Sequence, residues 1–142
     1  MKILFVCTGN TCRSVMAEYY TRAKLDELGI SGITVSSAGV STIDGMVASQ
    51  GALTVLEEIG VDASPHVSRF LTLEMAQEAD KIYALAKNHQ EILKLNFPAV
   101  KDKVELLGNK SVPDPSGLTL EEYRDSLDMI VSSVDKRILS KL

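Results

Sequence analysis

The stretch ILFVCTGNTCRSVMAE, residues 3–18, decides the fold. Ile3, Leu4, Phe5 and Val6 form a short continuous apolar run, the pattern of a strand buried on both faces. The run stops at a turn around Gly9-Asn10, and from Arg13 to about Leu28 the pattern becomes helical. Met16, Ala17, Tyr20, Ala23 and Leu28 share one broad face, interrupted by Lys24, and Gly29 is a natural stop. A buried strand, a tight turn and a helix in immediate succession open an α/β fold.

The pattern continues outward from this unit. Ile33 to Gly39 reads as a second strand, Val47 to Ile59 as a helix closed by Gly60, and Thr72 to Ala79 as a short helix. Lys81 to Leu85 is a third strand, Asn88 to Leu95 a helix, and Lys103 to Leu107 a fourth strand. The segment from Ser111 to Gly117 carries two prolines, which lack amide donors, and reads as a loop. A long amphipathic helix from Thr119 to Leu139 ends the chain, with Glu122 placed to complete a capping box on Thr119. Alternating strands and helices predict a parallel sheet with helices on both faces, a three-layer sandwich built as a single domain over residues 1–142. In such sheets ligands bind beyond the C-terminal strand ends, where the Cys7 turn lies.

Composition narrows the classes of function. At 142 residues, 45% hydrophobic and 24% charged, the chain can bury one core without staples. A net charge of −4 argues against a nucleic-acid partner, and no apolar run approaches a membrane span. MKILFV is too short and too quickly polar to be a signal peptide. Two cysteines five apart are no disulfide framework, so the reading is a cytoplasmic protein. No cluster has metal-ligand spacing, and neither a metal nor a cofactor is expected.

The turn has its own chemistry. Gly9 and Asn10 tolerate left-handed backbone angles, so the chain can curl and aim successive amides inward. Inward amides make an anion nest, and the helix beginning at Arg13 adds the positive end of its dipole. Arg13 supplies a planar fork that fits two phosphate oxygens. Cys7 then lies at the floor of a positive field that favours the nucleophilic thiolate, with Ser14 able to donate to its sulfur. A bare Cys-x5-Arg fits two buried small cysteines equally well, and the surrounding strand, turn and helix favour a phosphate-handling loop. No lysine follows the turn, so this is not a nucleotide-binding P-loop.

V-C-T-G-N-T-C-R-S, at the extreme N-terminus, resembles the signature of the low-molecular-weight protein tyrosine phosphatase family. The resemblance runs along essentially the whole chain and implies a four-stranded parallel sheet of order 2-1-3-4. It implies a phosphate-binding loop formed by Thr8, Gly9, Asn10, Thr11, Cys12, Arg13 and Ser14, supported by Ser37 and by His66 of Pro65-His66-Val67-Ser68-Arg69. Val112-Pro113-Asp114-Pro115 is similar to the loop that supplies the general acid. Two departures stand out: Val15 follows Arg-Ser where proline is usual, and Pro65 precedes the histidine in place of serine. Cys7, Arg13 and Asp114 are then the catalytic residues: Cys7 attacks phosphorus, Arg13 and the amides of residues 8 to 13 hold the equatorial oxygens, and Asp114 protonates the leaving group. The expected partner is a phosphorylated protein or peptide, met by a monomer. Cys12 is open between two readings, a partner that protects Cys7 in a reversible disulfide and a packed small residue. His89 and the Glu-Glu-Tyr-Arg-Asp run of the last helix read as solvated surface.

The substrate turns on Thr11 and Ser116. Tyrosine phosphatases of the family usually frame the pocket with aromatics, but Ser116-Gly117 follows the Asp-Pro dipeptide here, and Val40-Ser41-Thr42-Ile43-Asp44 after Gly39 holds no ring. The C-T-G-N-T-C-R-S version of the loop resembles the family's bacterial protein-arginine phosphatase branch. That branch usually has phenylalanine where Ser116 stands, so phosphoarginine leads and phosphotyrosine is the alternative. An arsenate reductase of the same fold needs two further cysteines after Cys12, and a cysteine phosphocarrier would be harmed by a hydrolytic acid.

Overall fold

Alternate residues of the first strand, β1 (Lys2–Cys7), belong to two different cores. Ile3, Phe5 and Cys7 join one cluster, Leu4 and Val6 the other, because successive strand side chains point to opposite faces. Phe5 and Val6 are fully buried, and burying a side chain of that size is worth about 1.5–3 kcal/mol. The computed structural model describes all 142 residues, Met1–Leu142.

The chain continues through α1 (Arg13–Glu27), β2 (Thr34–Gly39), α2 (Gln50–Glu58), α3 (Leu73–Glu78), β3 (Lys81–Ala84), α4 (Lys87–Asn96), β4 (Val104–Leu106) and α5 (Leu120–Arg137). The four strands form one sheet, all parallel, in the order β2-β1-β3-β4. Side chains of α1, α2 and α5 fill the cluster on the Phe5 face, while α3, α4 and Val100 cover the Leu4 face. This is the three-layer α/β architecture that the sequence predicts. No helix is long and apolar enough to cross a membrane.

Most differences from the sequence reading lie at element ends. The second helix starts at Gln50, not Val47, because Ser49 caps it by accepting from Ala52 N–H and Val47 instead bridges to Val67. Pro98–Lys103 forms a 3-10 helix that the pattern did not reveal, and it shortens the fourth strand to three residues. Gly29 and Gly60 do end α1 and α2, in left-handed conformations at φ 69° and 77°.

The Glu-Glu-Tyr-Arg-Asp run is not a uniformly exposed face. Glu121, Glu122 and Asp125 are exposed, but Tyr123 is buried. The helical period puts Tyr123 on the stripe of Leu127, Ile130 and Val134, which faces the core.

Register sets the position of the site. Cys7 pairs with Gly39, and Val6 and Leu106 both pair with Ala84, so the C-terminal strand ends lie along one edge. Strand order reverses direction at β1, and the crevice between β1 and β3 is the switch point where ligands bind in such sheets.

Candidate active site

Residues 7–13 curl around the C-terminal end of β1. Asn10 alone among the non-glycine residues has a positive φ, 54°. Gly9, expected to share that geometry, does not: Asn10 by itself supplies the left-handed residue that reverses the loop.

The loop's carbonyls are held outward by its neighbours. Val40 N–H donates to Cys7 O, Ser41 N–H to Thr8 O, and Ser49 N–H to Thr11 O, at 2.9–3.0 Å. His66 Nε2–H donates to Asn10 O at 2.8 Å. With the carbonyls so occupied, the amides of Thr8 to Cys12 donate to no other group of the protein. These free amides lie between Cys7 and the N-terminus of α1, an arrangement suited to an anion.

Asn10 is fully buried and holds the loop through its side chain. Its Nδ2 donates to Ser14 Oγ and to Ser37 Oγ, both at 2.8 Å, and its Oδ1 accepts from Arg69 N–H at 2.9 Å. Ser37 Oγ donates to Glu18 Oε1 at 2.6 Å, and Glu18 pairs with Arg22 at 2.9 Å. Ser14 Oγ lies 2.9 Å from Cys7 Sγ, so a hydrogen-bonded chain runs from Glu18 to the sulfur. No buried side-chain nitrogen or oxygen lacks a partner, which is the condition for a polar network to add rigidity.

Arg13 is nearly buried and joins this loop to the segment carrying Asp114. Nη1 donates to Val112 O at 3.0 Å, while Nη2 lies 3.4 Å from Thr8 Oγ1 and 3.8 Å from Asp114 Oδ2. Asp114 is half exposed, and its Oδ1 accepts from Ser116 N–H at 3.0 Å. Partial burial pushes the Asp114 carboxyl up, but the Ser116 amide and hydroxyl, with Arg13, outweigh it and hold the group below its ordinary value.

Cys12 is also buried, under the loop. Its thiol donates to Ser49 Oγ at 3.2 Å and lies 3.2 Å from Ser116 Oγ and 3.4 Å from Tyr123 Oη. Ser116 is therefore turned toward the phosphate loop, and Thr11 Oγ1 lies 3.7 Å from the same sulfur.

All the residues singled out in the sequence thus come together: Cys7 through Ser14, Ser37, His66, Asp114 and Ser116. His89 must be corrected from solvated surface to fully buried. It stands in the first turn of α4, with Nδ1 accepting from Ala86 N–H at 3.1 Å and Nε2 2.8 Å from Thr8 Oγ1. Its polar neighbours Asn88 and Gln90 hid it, although the third position of a helix is where a side chain can reach back to the N-cap amide. Glu18 and Arg69 were also missed as loop supports. Glu18, one turn after Ser14, was the more detectable, since that spacing puts both on one face.

Comparison with known proteins is consistent along the chain. A family model described as low molecular weight phosphotyrosine protein phosphatase matches residues 2–141. The chain is 37% identical to a protein-arginine-phosphatase of Geobacillus stearothermophilus, covering 99% of this chain and 95% of that protein. It superposes with a TM-score of 0.94 on a low molecular weight protein tyrosine phosphatase from T. tengcongensis, at 38% identity over 100% of this chain and 99% of the other. A second structure, the YwlE arginine phosphatase as a C7S mutant with a phosphorylated active-site serine, aligns at a TM-score of 0.89 and 31% identity, covering 98% and 99%.

Proposed function

The chain belongs to the low molecular weight phosphotyrosine protein phosphatase family of cysteine-dependent phosphatases, and on that premise we propose that it hydrolyses phosphoarginine in proteins through a phosphocysteine intermediate. The Cys7 thiolate attacks phosphorus in line, forming a P–S bond as the P–N bond to the guanidinium breaks. Asp114 protonates the departing nitrogen, then takes a proton from the water that attacks phosphorus and releases Cys7. Arg13 and the free amides of Thr8 to Cys12 neutralise charge on the equatorial oxygens. Ser14 donates to the sulfur and eases its departure in the second step. The phosphorylated serine in the C7S YwlE structure supports a covalent phosphoenzyme at this position.

One observation carries the substrate reading: the hydroxyls of Thr11 and Ser116 meet at Cys12, where the phosphate and acid loops join, and the one tyrosine there, Tyr123, is buried. All four tyrosines already have partners within the fold. Tyr19 packs edge-on against His66, Tyr20 donates to Asp135, Tyr83 stacks on Phe5, and Tyr123 lies beneath the loop against Cys12. A flat phosphotyrosine ring has little here to stack on, whereas a guanidinium can donate to hydroxyl oxygens. Whole-chain identity does not discriminate, because relatives named for arginine and for tyrosine stand at 37% and 38%.

The test is kcat/KM on phosphoarginine and phosphotyrosine peptides, for the parent and for Thr11→Ile. We expect the parent to favour phosphoarginine and T11I to shift the ratio toward phosphotyrosine. A parent preferring phosphotyrosine by roughly tenfold or more overturns the assignment.

A further inference from the structure

Thr8 and His89 face each other across the crevice between β1 and β3, at the switch point of the sheet. The hydrogen-bond inventory of the pair is fully determined. A backbone N–H can only donate, so the bond from Ala86 N–H to His89 Nδ1 leaves that nitrogen without a proton. Burial, aided by the neighbouring Arg13 charge, lowers the His89 pKa to about 4, against a smaller opposing effect of Asp114. The imidazole is therefore neutral at working pH and carries its one proton on Nε2. Nε2–H must donate to Thr8 Oγ1, 2.8 Å away.

Arg13 Nη2, also an obligate donor, reaches the same oxygen at 3.4 Å. A hydroxyl has two acceptor positions and one proton to give. Both acceptor positions of Thr8 are now occupied, and neither neighbour can accept. The proton is left for a group from outside the protein, next to the free amides of the loop that Thr8 begins.

We propose that Thr8 is a catalytic hydroxyl, donating its proton to an oxygen of the phosphoryl group, and that His89 is the positioning residue that aims it. His89 sets the direction by occupying one lone pair, and Arg13 occupies the other while its remaining N–H groups serve the phosphate. Thr8 is thus a further fixed donor at the place where negative charge grows during transfer. This inference rests on the phosphocysteine chemistry of the site and is independent of the leaving group.

The test is a double-mutant cycle on para-nitrophenyl phosphate with Thr8→Val, which removes the hydroxyl at constant shape, and His89→Asn. The asparagine Oδ1 retains an acceptor for Ala86 N–H while the donor to Thr8 is lost. T8V should lower kcat/KM by roughly tenfold or more, mainly through kcat, and Thr8→Ser should recover most of it. H89N should also slow the enzyme, yet the T8V/H89N double variant should be no slower than T8V, because His89 acts through Thr8. A purely structural His89 would instead multiply its loss with that of T8V. That result, or a T8V rate within about twofold of the parent, overturns the proposal. A parent that prefers phosphotyrosine peptides would sink the substrate reading alone, since para-nitrophenyl phosphate presents the same phosphoryl oxygens.

Discussion

Asp114 and Arg13 form a pair across the mouth of the site, 3.8 Å apart, and that pairing bears on the acid role proposed for Asp114. A carboxyl held below its ordinary value is ionised at neutral pH, the wrong state for donating a proton. Bound phosphoryl changes this, since its oxygens engage the Arg13 fork and its negative charge faces the carboxylate. Both effects raise the proton affinity of Asp114, so in the proposed mechanism the substrate itself prepares the acid. Asp114→Asn should therefore lower kcat by roughly a hundredfold or more with little change in KM, and leave inhibition by inorganic phosphate largely intact. A steady-state comparison with the parent checks this, and near-normal turnover of D114N would remove Asp114 from the mechanism. The proposed role of Asp114 was readable in the sequence only through the resemblance of Val112-Pro113-Asp114-Pro115 to the family's acid loop, since an Asp between two prolines equally suits a turn. Its interaction with Arg13, 101 residues before it, was not.

At the scale of elements, the phosphate loop is shaped by the strand beside it. The β1–β2 register sets Gly39 opposite Cys7, and a Cβ at Gly39 would press on Thr8 O and Asn10 N, both backbone atoms of the loop. Neither can yield without moving the free amides proposed to hold the phosphate. Gly39→Ala should thus lower kcat/KM on the order of a hundredfold, the scale of a misplacement near 1 Å in an active site. Thermal melting alongside the kinetics separates the causes: a folded G39A protein with parent-like rate would show that the loop does not depend on this approach. The strand and helix order was legible from hydrophobic periodicity, since buried runs and helical stripes are local patterns. Element ends were less so. Val47 leaves its helix to bridge to Val67, and Pro98–Lys103 tightens into a 3-10 helix, choices made by tertiary contacts and not by propensity.

For the whole molecule, the buried histidine predicts how stability responds to acid. The His89 pKa is lowered by burial from 6.5 to about 4, so between those values the unfolded chain binds a proton that the folded chain refuses. Stability from this group is complete above pH 6.5 and is lost as pH falls toward 4, by up to about 3 kcal/mol. Denaturant unfolding of the parent and His89→Gln across this window should show the parent losing stability more steeply. Parallel profiles would mean that His89 does not titrate as its burial requires. The same residue marks the limit of sequence reading for this protein. One local stretch, residues 3–18, determined the strand, the turn, the helix and the nucleophile loop, because strand and helix periods and an anion nest are properties of neighbouring residues. Only the tertiary structure decided that His89 reaches Thr8, that Glu18 and Arg69 hold Ser37, and that Tyr123 lies under Cys12. These contacts join residues from different elements, and a polar side chain gives no local sign of whether water or a buried partner will satisfy it.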